Sequence, residues 1–357
     1  MTSSDDPKDN SKPKRRIRYK GTHPRKFHEK YKELAPNQYV EDIEKIKSRG
    51  ATPAGTHRPI CVNEILEILN PQPGNIVLDA TLGYGGHSSL ILQKILPGGR
   101  LIGLDQDPIE LPKTELRLRA QNISGTTETI PESALIVESV NFENAFSVLR
   151  TKGVPLVDLI LVDLGVSSMQ IDDPSRGFSF KIDAPLDLRM NPLKGQPAAA
   201  LLSRLKEKDL IKILIENADE PHAEQIAKAL LKNRPTTTIK MADTIREVIK
   251  TFTPRVQKEE GDAPIRRAFQ ALRIAVNDEF SALDQFLDDI PRMLKRGGRV
   301  AILSFHSGED RRVKKSFQAR ERLGVYSKVA PTPIRPSFEE QHSNPRSKSA
   351  KLRWAIK

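Results

Sequence analysis

The chain has 357 residues and a mass of 40.0 kDa, enough to bury one large core or two ordinary ones. Hydrophobic residues at 37% and charged residues at 29% describe a water-soluble globular protein, and the lack of an apolar run of about 18 residues excludes a membrane-spanning helix. A formal charge of +12 favours a polyanionic partner, because Lys and Arg release counterions as they neutralise phosphates, while the single cysteine, Cys61, excludes an intramolecular disulfide and suits a reducing compartment.

In chain order, residues 1–54 form a separate basic extension, with ten Lys or Arg between Lys12 and Lys32 against one acid, Glu29. Such an arm either orders on RNA phosphates or simply solubilises the chain. Its first ten residues carry three Asp and no apolar stretch, unlike a secretory signal or a transit peptide. A helix is expected over Val62 to Leu69, followed by the breaker Pro71-Gln72-Pro73-Gly74. Ile76 to Ala80 reads as a buried strand, Gly83 to Gly86 as a tight turn, His87 to Ile95 as a helix and Arg100 to Asp105 as the next strand. This βαβ unit opens a doubly wound α/β sheet. Leu135 to Val137 and Val157 to Asp163 read as later strands of that sheet.

Beyond them the pattern turns helical and charged, as in Leu210 to Ile215, Ala223 to Leu231 and Met241 to Ile249, which predicts a helical insertion. The βα pattern resumes with one long helix around Phe269 to Leu287, a turn at Lys295 to Arg299 and a strand over Val300 to Phe305. The expected organisation is therefore the extension 1–54, a first catalytic part 55–180, an inserted helical domain 181–265 for substrate recognition, and a second catalytic part 266–357 ending in a basic tail.

The chemistry concentrates around Gly83, Gly85, Gly86 and His87, where glycines let a ligand approach the backbone and a helix N-terminus offers free N–H groups. The full G-x-G-x-x-G spacing is missing, which tilts the reading away from a dinucleotide. Asp105 closes the second strand where an acid can accept hydrogen bonds from ribose hydroxyls. Asp79 either binds an amino group of the ligand or caps the turn. The absence of an H-x-E and C-x-x-C pair excludes a zinc deaminase, and no metal is expected.

At this point the sequence resembles the bacterial 16S rRNA cytosine-N4 methyltransferases of the RsmH (MraW) type. The resemblance rests on Gly55-Thr-His-Arg-Pro59, Leu82-Gly-Tyr-Gly-Gly-His87, Asp158 to Ser168, Gln170 to Phe180, Pro185 to Met190, Arg267 to Glu279, Ser304 to Arg311 and Asn344 to Arg353, in the family's order. Tyr84 and Gly308 depart from the family's usual residues, and the basic arm is extra. The resemblance implies a class I (Rossmann-like) methyltransferase fold with an inserted helical domain and S-adenosylmethionine as cofactor. It also implies a cytosine at the decoding centre of the small ribosomal subunit as substrate. The implied cofactor contacts are Gly85, Gly86, His87, Asp105, Phe142, Asp163 and Gln170.

Methyl transfer to a cytosine amine needs fixed geometry and a proton acceptor. Asp163, at a strand's carboxyl end, is the candidate catalytic residue, either as that acceptor or purely as a cofactor ligand. Phe178 and Phe180 either stack on a splayed base or belong to the core. Arg176, Arg189, Arg267 and Arg273 and the five basic residues from Arg346 to Lys357 are candidate phosphate contacts or surface ion pairs. His306 either lines the site or is a hydrogen-bonded structural histidine. The expected partner is 16S rRNA in the cytoplasm, with no membrane or DNA and with a homodimer left open. The alternatives are a methyltransferase of the same fold with another substrate and an RNA-binding ribosome assembly factor that has lost the chemistry.

Overall fold

The computed structural model describes residues 59–123, 125–252 and 262–357, so the basic extension and Gly55 to Arg58 lie outside the described residues. The sheet contains β1 (Ile76–Asp79), β2 (Arg100–Asp105), β3 (Leu135–Ser139), β4 (Val157–Asp163), β5 (Leu294–Ser304), β6 (Lys328–Val329) and β7 (Lys351–Ile356). Its spatial order is β3-β2-β1-β4-β5-β7-β6. The first five strands run parallel, and β7 enters antiparallel between β5 and β6. The strands are apolar on both sides, as a parallel sheet covered by helices on each face requires. Leu78, Ile102, Ile160 and Ile302 face one core with Phe286, Leu287 and Phe317, while Val77, Leu101, Leu161 and Leu303 face the other with Ile65, Ile91 and Leu118.

The covering helices are α1 (Val62–Leu69), α2 (Gly86–Ile95) and α3 (Leu111–Arg119) on one face. On the other lie α4 (Ala145–Thr151), α11 (Glu279–Met293) and α12 (Ser307–Arg322). The chain steps outward from β1 to β3 and then returns to place β4 against β1, so the strand order reverses there. A crevice opens beyond the carboxyl ends at such a reversal.

After α5 (Ser168–Asp172) the insertion supplies α6 (Ala198–Arg204), α7 (Glu207–Ala218), α8 (Ala223–Asn233), α9 (Thr238–Phe252) and α10 (Ala263–Asn277). Their amphipathic faces meet in a third core around Leu210, Leu214, Ile226, Leu230, Met241, Ile245 and Leu272.

Four expectations need correction, the first being the turn at Lys295 to Arg299, which lies inside β5 where its register against β4 shifts. The single helix around Phe269 to Leu287 is two, α10 and α11, because Asp278 takes a left-handed φ of 49° between them. Ala268, Phe269 and Leu272 pack in the insert's core, so the insert runs past 265 and takes in α10. The basic tail is strand β7: Lys351 and Arg353 pair with Asp310, and Lys357 donates to the carbonyls of Pro291 and Leu294. A short helix, α13 (Phe338–Ser343), precedes it.

Candidate active site

The loop between β1 and α2 is shaped by its own hydrogen bonds. Asp79 Oδ1 accepts from the Thr81 N–H at 3.1 Å and Oδ2 from the Ser88 hydroxyl at 2.5 Å, so the carboxylate caps the turn. Gly85 sits at φ 80°, in the left-handed region that favours glycine. A Cβ on Gly86 would lie 2.5 Å from Pro59 Cγ. These two glycines are thus demanded by the chain's own packing as well as by any ligand. Thr114 Oγ1 fastens the loop from α3 by donating to the Gly83 carbonyl at 2.6 Å.

Asp105 ends β2 beside this loop. Its Oδ2 accepts from the Gly83 N–H at 2.8 Å and its Oδ1 from the Asp107 N–H at 2.9 Å. The Gln106 backbone also hydrogen-bonds this carboxylate, which still has acceptor capacity to spare. Asp163 ends β4, where its N–H donates to Thr81 Oγ1 at 2.6 Å. Its buried Oδ1 has no hydrogen-bond partner, and neither has the buried Nε2 of His87, which stands 3.8 Å from Asp163 Oδ2. These two buried polar atoms, on neighbouring side chains at the strand ends, keep hydrogen-bonding capacity that a ligand can use.

The electrostatics point the same way. Burial, with the negative charge of Asp105, raises Asp79 to about 6 against hydrogen bonds that lower it. Burial raises Asp105 to about 6 despite its hydrogen bonds, with Asp107 adding to the rise. Burial and the charges of Asp79 and Glu309 raise Asp163 to about 7. Burial pushes His87 down to about 4, so the ring is neutral near pH 7. Among the described residues no Lys or Arg pairs with these three carboxylates.

All seven implied cofactor residues lie on the carboxyl side of β1 to β4. Gly85, Gly86, His87, Asp105 and Asp163 come together around the crevice. Phe142 follows β3 in a short 3-10 turn and packs edge-on against Phe286 at 5.4 Å. Gln170 lies in α5, where its side chain closes a capping box with Ser167 and donates to Asp107 at 2.7 Å. A cavity of about 250 Å³ lies next to Phe142, lined by Gln106, Asn141 and Glu143 from the segments that follow β2 and β3 and by Asn191, Lys194 and Asn277.

The candidate RNA residues are placed differently. Phe178 and Phe180 are half-buried against the insert's core, Phe180 lying 5.6 Å from Phe269, which is the core arrangement. Arg189 pairs with Asp187 at 2.7 Å, Arg267 with the buried Glu220 at 2.7 Å and Arg273 with Glu279 at 2.8 Å. Arg176 is 3% exposed and donates to Asp107 at 2.8 Å and to the Met190 carbonyl at 2.6 Å, so it is a buried strut between β2's end and the insert and not a phosphate contact. His306 caps α12, its Nδ1 accepting from the Glu309 N–H at 3.4 Å, which is the structural reading. A Cβ on Gly308 would lie 2.6 Å from Phe280, so the departure at this position is matched by a bulky neighbour.

Sequence reasoning missed the Asp107, Gln170 and Arg176 junction, whose members are 63 and 69 residues apart. The apolar run before Asp107 could have flagged it as a strand-end acid. It also missed Cys61, Glu64 and Glu340, whose ligand atoms lie within 4.8 Å of one another. Burial and the neighbouring carboxylates push the Cys61 thiol up to about 12, which keeps it protonated. Among the described residues no helix is long and apolar enough to cross a membrane.

The family model of the MraW methylases matches residues 54–357. Ribosomal RNA small subunit methyltransferase H 1 of Lachnoclostridium phytofermentans is 51% identical over 358 residues, covering 98% of this chain and 95% of that protein. Ribosomal RNA small subunit methyltransferase H 2 of Alkaliphilus metalliredigens is 49% identical over 351 residues, covering 97% and 98%. Both alignments cover residues that precede the family model's match. Among solved structures, a SAM-dependent O-methyltransferase from Thermotoga maritima aligns over 83% of this chain and 64% of its own at 10% identity and a TM-score of 0.37.

Proposed function

Because this chain belongs to the MraW methylase family, we propose that it transfers a methyl group from S-adenosylmethionine to the N4 amine of a cytosine in 16S rRNA, with Asp163 as proton acceptor. The observation that carries this reading is the trio Asp79, Asp105 and Asp163, gathered at the strand ends with raised pKa values and no Lys or Arg of their own among the described residues. A cationic cofactor relieves that charge, whereas the pyrophosphate of a dinucleotide adds to it.

When bound, S-adenosylmethionine supplies an electrophilic methyl carbon on a positively charged sulfur. The free lone pairs of Asp105 suit ribose hydroxyls, and the loop from Gly83 to His87 lets the backbone come close. The cytosine amine is a weak nucleophile because its lone pair is conjugated into the ring. An ionised Asp163 accepts its N–H, holds the nitrogen in line, and takes the proton as the N–C bond forms and the C–S bond breaks. Burial favours the protonated form of this carboxyl, which strengthens it as a base relative to an ordinary exposed carboxylate. His87, neutral through burial, can donate from Nε2 toward Asp163 and fix its orientation without cancelling its charge. The small ribosomal subunit in the cytoplasm is the place of action this reading assigns.

Calorimetry tests the cofactor: S-adenosylhomocysteine should bind and NAD should not, and the reverse overturns the reading. Asp163→Ala should keep S-adenosylhomocysteine affinity within a few-fold while losing transfer of label to small-subunit RNA. Retained transfer would remove Asp163 from the chemistry.

A further inference from the structure

Arg176, Arg189, Arg267 and Arg273 are already committed to carboxylates, which leaves open where this chain meets the RNA backbone. Cations without carboxylate partners occupy the outer edge of the insert. Three hydrogen bonds tie that edge into one ridge. Thr238 Oγ1 donates to the Ile182 carbonyl at 2.7 Å, the Leu186 N–H donates to the Thr236 carbonyl at 3.0 Å, and Arg234 Nη1 donates to the Ser203 carbonyl at 2.8 Å. The loop after Phe180 is thereby joined to the start of α9, the end of α8 and the end of α6.

Along this ridge Lys181, Arg204, Lys206, Lys208, Lys232 and Arg234 are all exposed, and none has a carboxylate partner among the described residues. The acids on the same stretch are Asp183, Glu207 and Asp209, so the balance remains positive. Local stability does not account for the pattern. Cations at the ends of α6 and α8 agree with the negative end of a helix dipole, but Lys206 and Lys208 stand at the start of α7, where a cation opposes it. The ridge begins at Lys181, in a loop that is anchored to Asp107, just beyond β2, through Arg176.

We propose that this ridge binds the phosphate backbone of the RNA strand flanking the target base, a reading that rests on the RNA-methylating function above. Phosphates spaced along a strand suit a line of separate, unpaired cations, and such contacts position the substrate without reading its sequence.

The test compares two triple variants of the full chain, loaded with S-adenosylhomocysteine, binding unmethylated small ribosomal subunits across a salt series. Arg204→Gln/Lys206→Gln/Lys232→Gln removes charge from the ridge. Lys314→Gln/Lys315→Gln/Arg322→Gln removes the same charge from exposed, unpaired positions on α12, against the sheet. Losing three phosphate contacts lowers the slope of log affinity against log salt by about 2. The wild type's advantage over the ridge variant should therefore shrink about 18-fold between about 50 and 200 mM salt. The α12 variant should keep the wild-type slope and the wild-type turnover. Equal slopes in the two variants, or a ridge variant that binds like wild type while wild type methylates, overturns the ridge and leaves the function standing. Wild type that neither binds nor methylates subunits overturns both.

Discussion

Asp163→Asn separates the cost of the site from its use. The side chain is raised from an ordinary carboxylate value to about 7 by burial and by Asp79 and Glu309. A shift of that size in a wholly dehydrated group corresponds to about 4 kcal/mol. One third of the side chain is exposed, so screening reduces this to about 1–2 kcal/mol. The sign follows from the raised value: relative to the uncharged amide, wild type loses nothing below the unfolded carboxylate's pKa near 4. It loses stability progressively as pH rises toward 7 and carries the full cost above that. The variant should therefore melt at the same temperature as wild type near pH 4 and a few degrees higher at pH 8. Its methyl transfer should fall by about 10²–10⁴, the usual worth of a general base. Thermal melts at several pH values, paired with a methyl-transfer assay, read both effects. A variant less stable than wild type at pH 8, a gap independent of pH, or preserved activity would refute the reasoning.

Four further outcomes are expected. The kcat/KM of wild type for S-adenosylmethionine, which reports the cofactor-free protein, should rise about tenfold between pH 6 and 8 as a group near 7 ionises, and a flat profile would contradict the raised value at Asp163. Arg176→Met removes the ion-pair partner of the buried Asp107 and leaves it only the Gln170 amide and backbone N–H groups, so urea denaturation should show a loss of about 3 kcal/mol, and a loss below about 1 would contradict the strut. Gly86→Ala drives a Cβ against Pro59, an overpacking cost of about 1–3 kcal/mol that should appear in stability and in weaker S-adenosylhomocysteine binding; unchanged values in both count against the close approach. Phe180→Ala should lower stability while leaving kcat with subunits unchanged, whereas a lost kcat at full stability would make it a base-stacking residue.

Much of the catalytic half is legible because its strands are short apolar runs bounded by Gly, Pro and Asp. Val77-Leu78 and Leu159 to Val162 need no long-range information to be read as buried strands. The loop glycines announce the crevice for the same local reason. What stayed hidden depends on partners distant in sequence. Arg176 looks like a phosphate ligand until Asp107 closes on it, and Arg267 until Glu220 does, 47 residues away. Lys351-Leu-Arg353-Trp-Ala-Ile356 reads as a charged tail because its cations mask a strand, and only Asp310 explains how they can be buried inside a sheet. The division between α10 and α11 rests on one residue, Asp278, in a backbone conformation that no apolar periodicity encodes.

The most direct test of the account is to incubate the purified chain with labelled S-adenosylmethionine and small ribosomal subunits lacking the modification, then digest the RNA and separate its nucleosides. The account predicts label in an N4-methylated cytidine, lost in Asp163→Ala. Label confined to another nucleoside or to ribosomal protein, or none at all with cofactor binding intact, would contradict it.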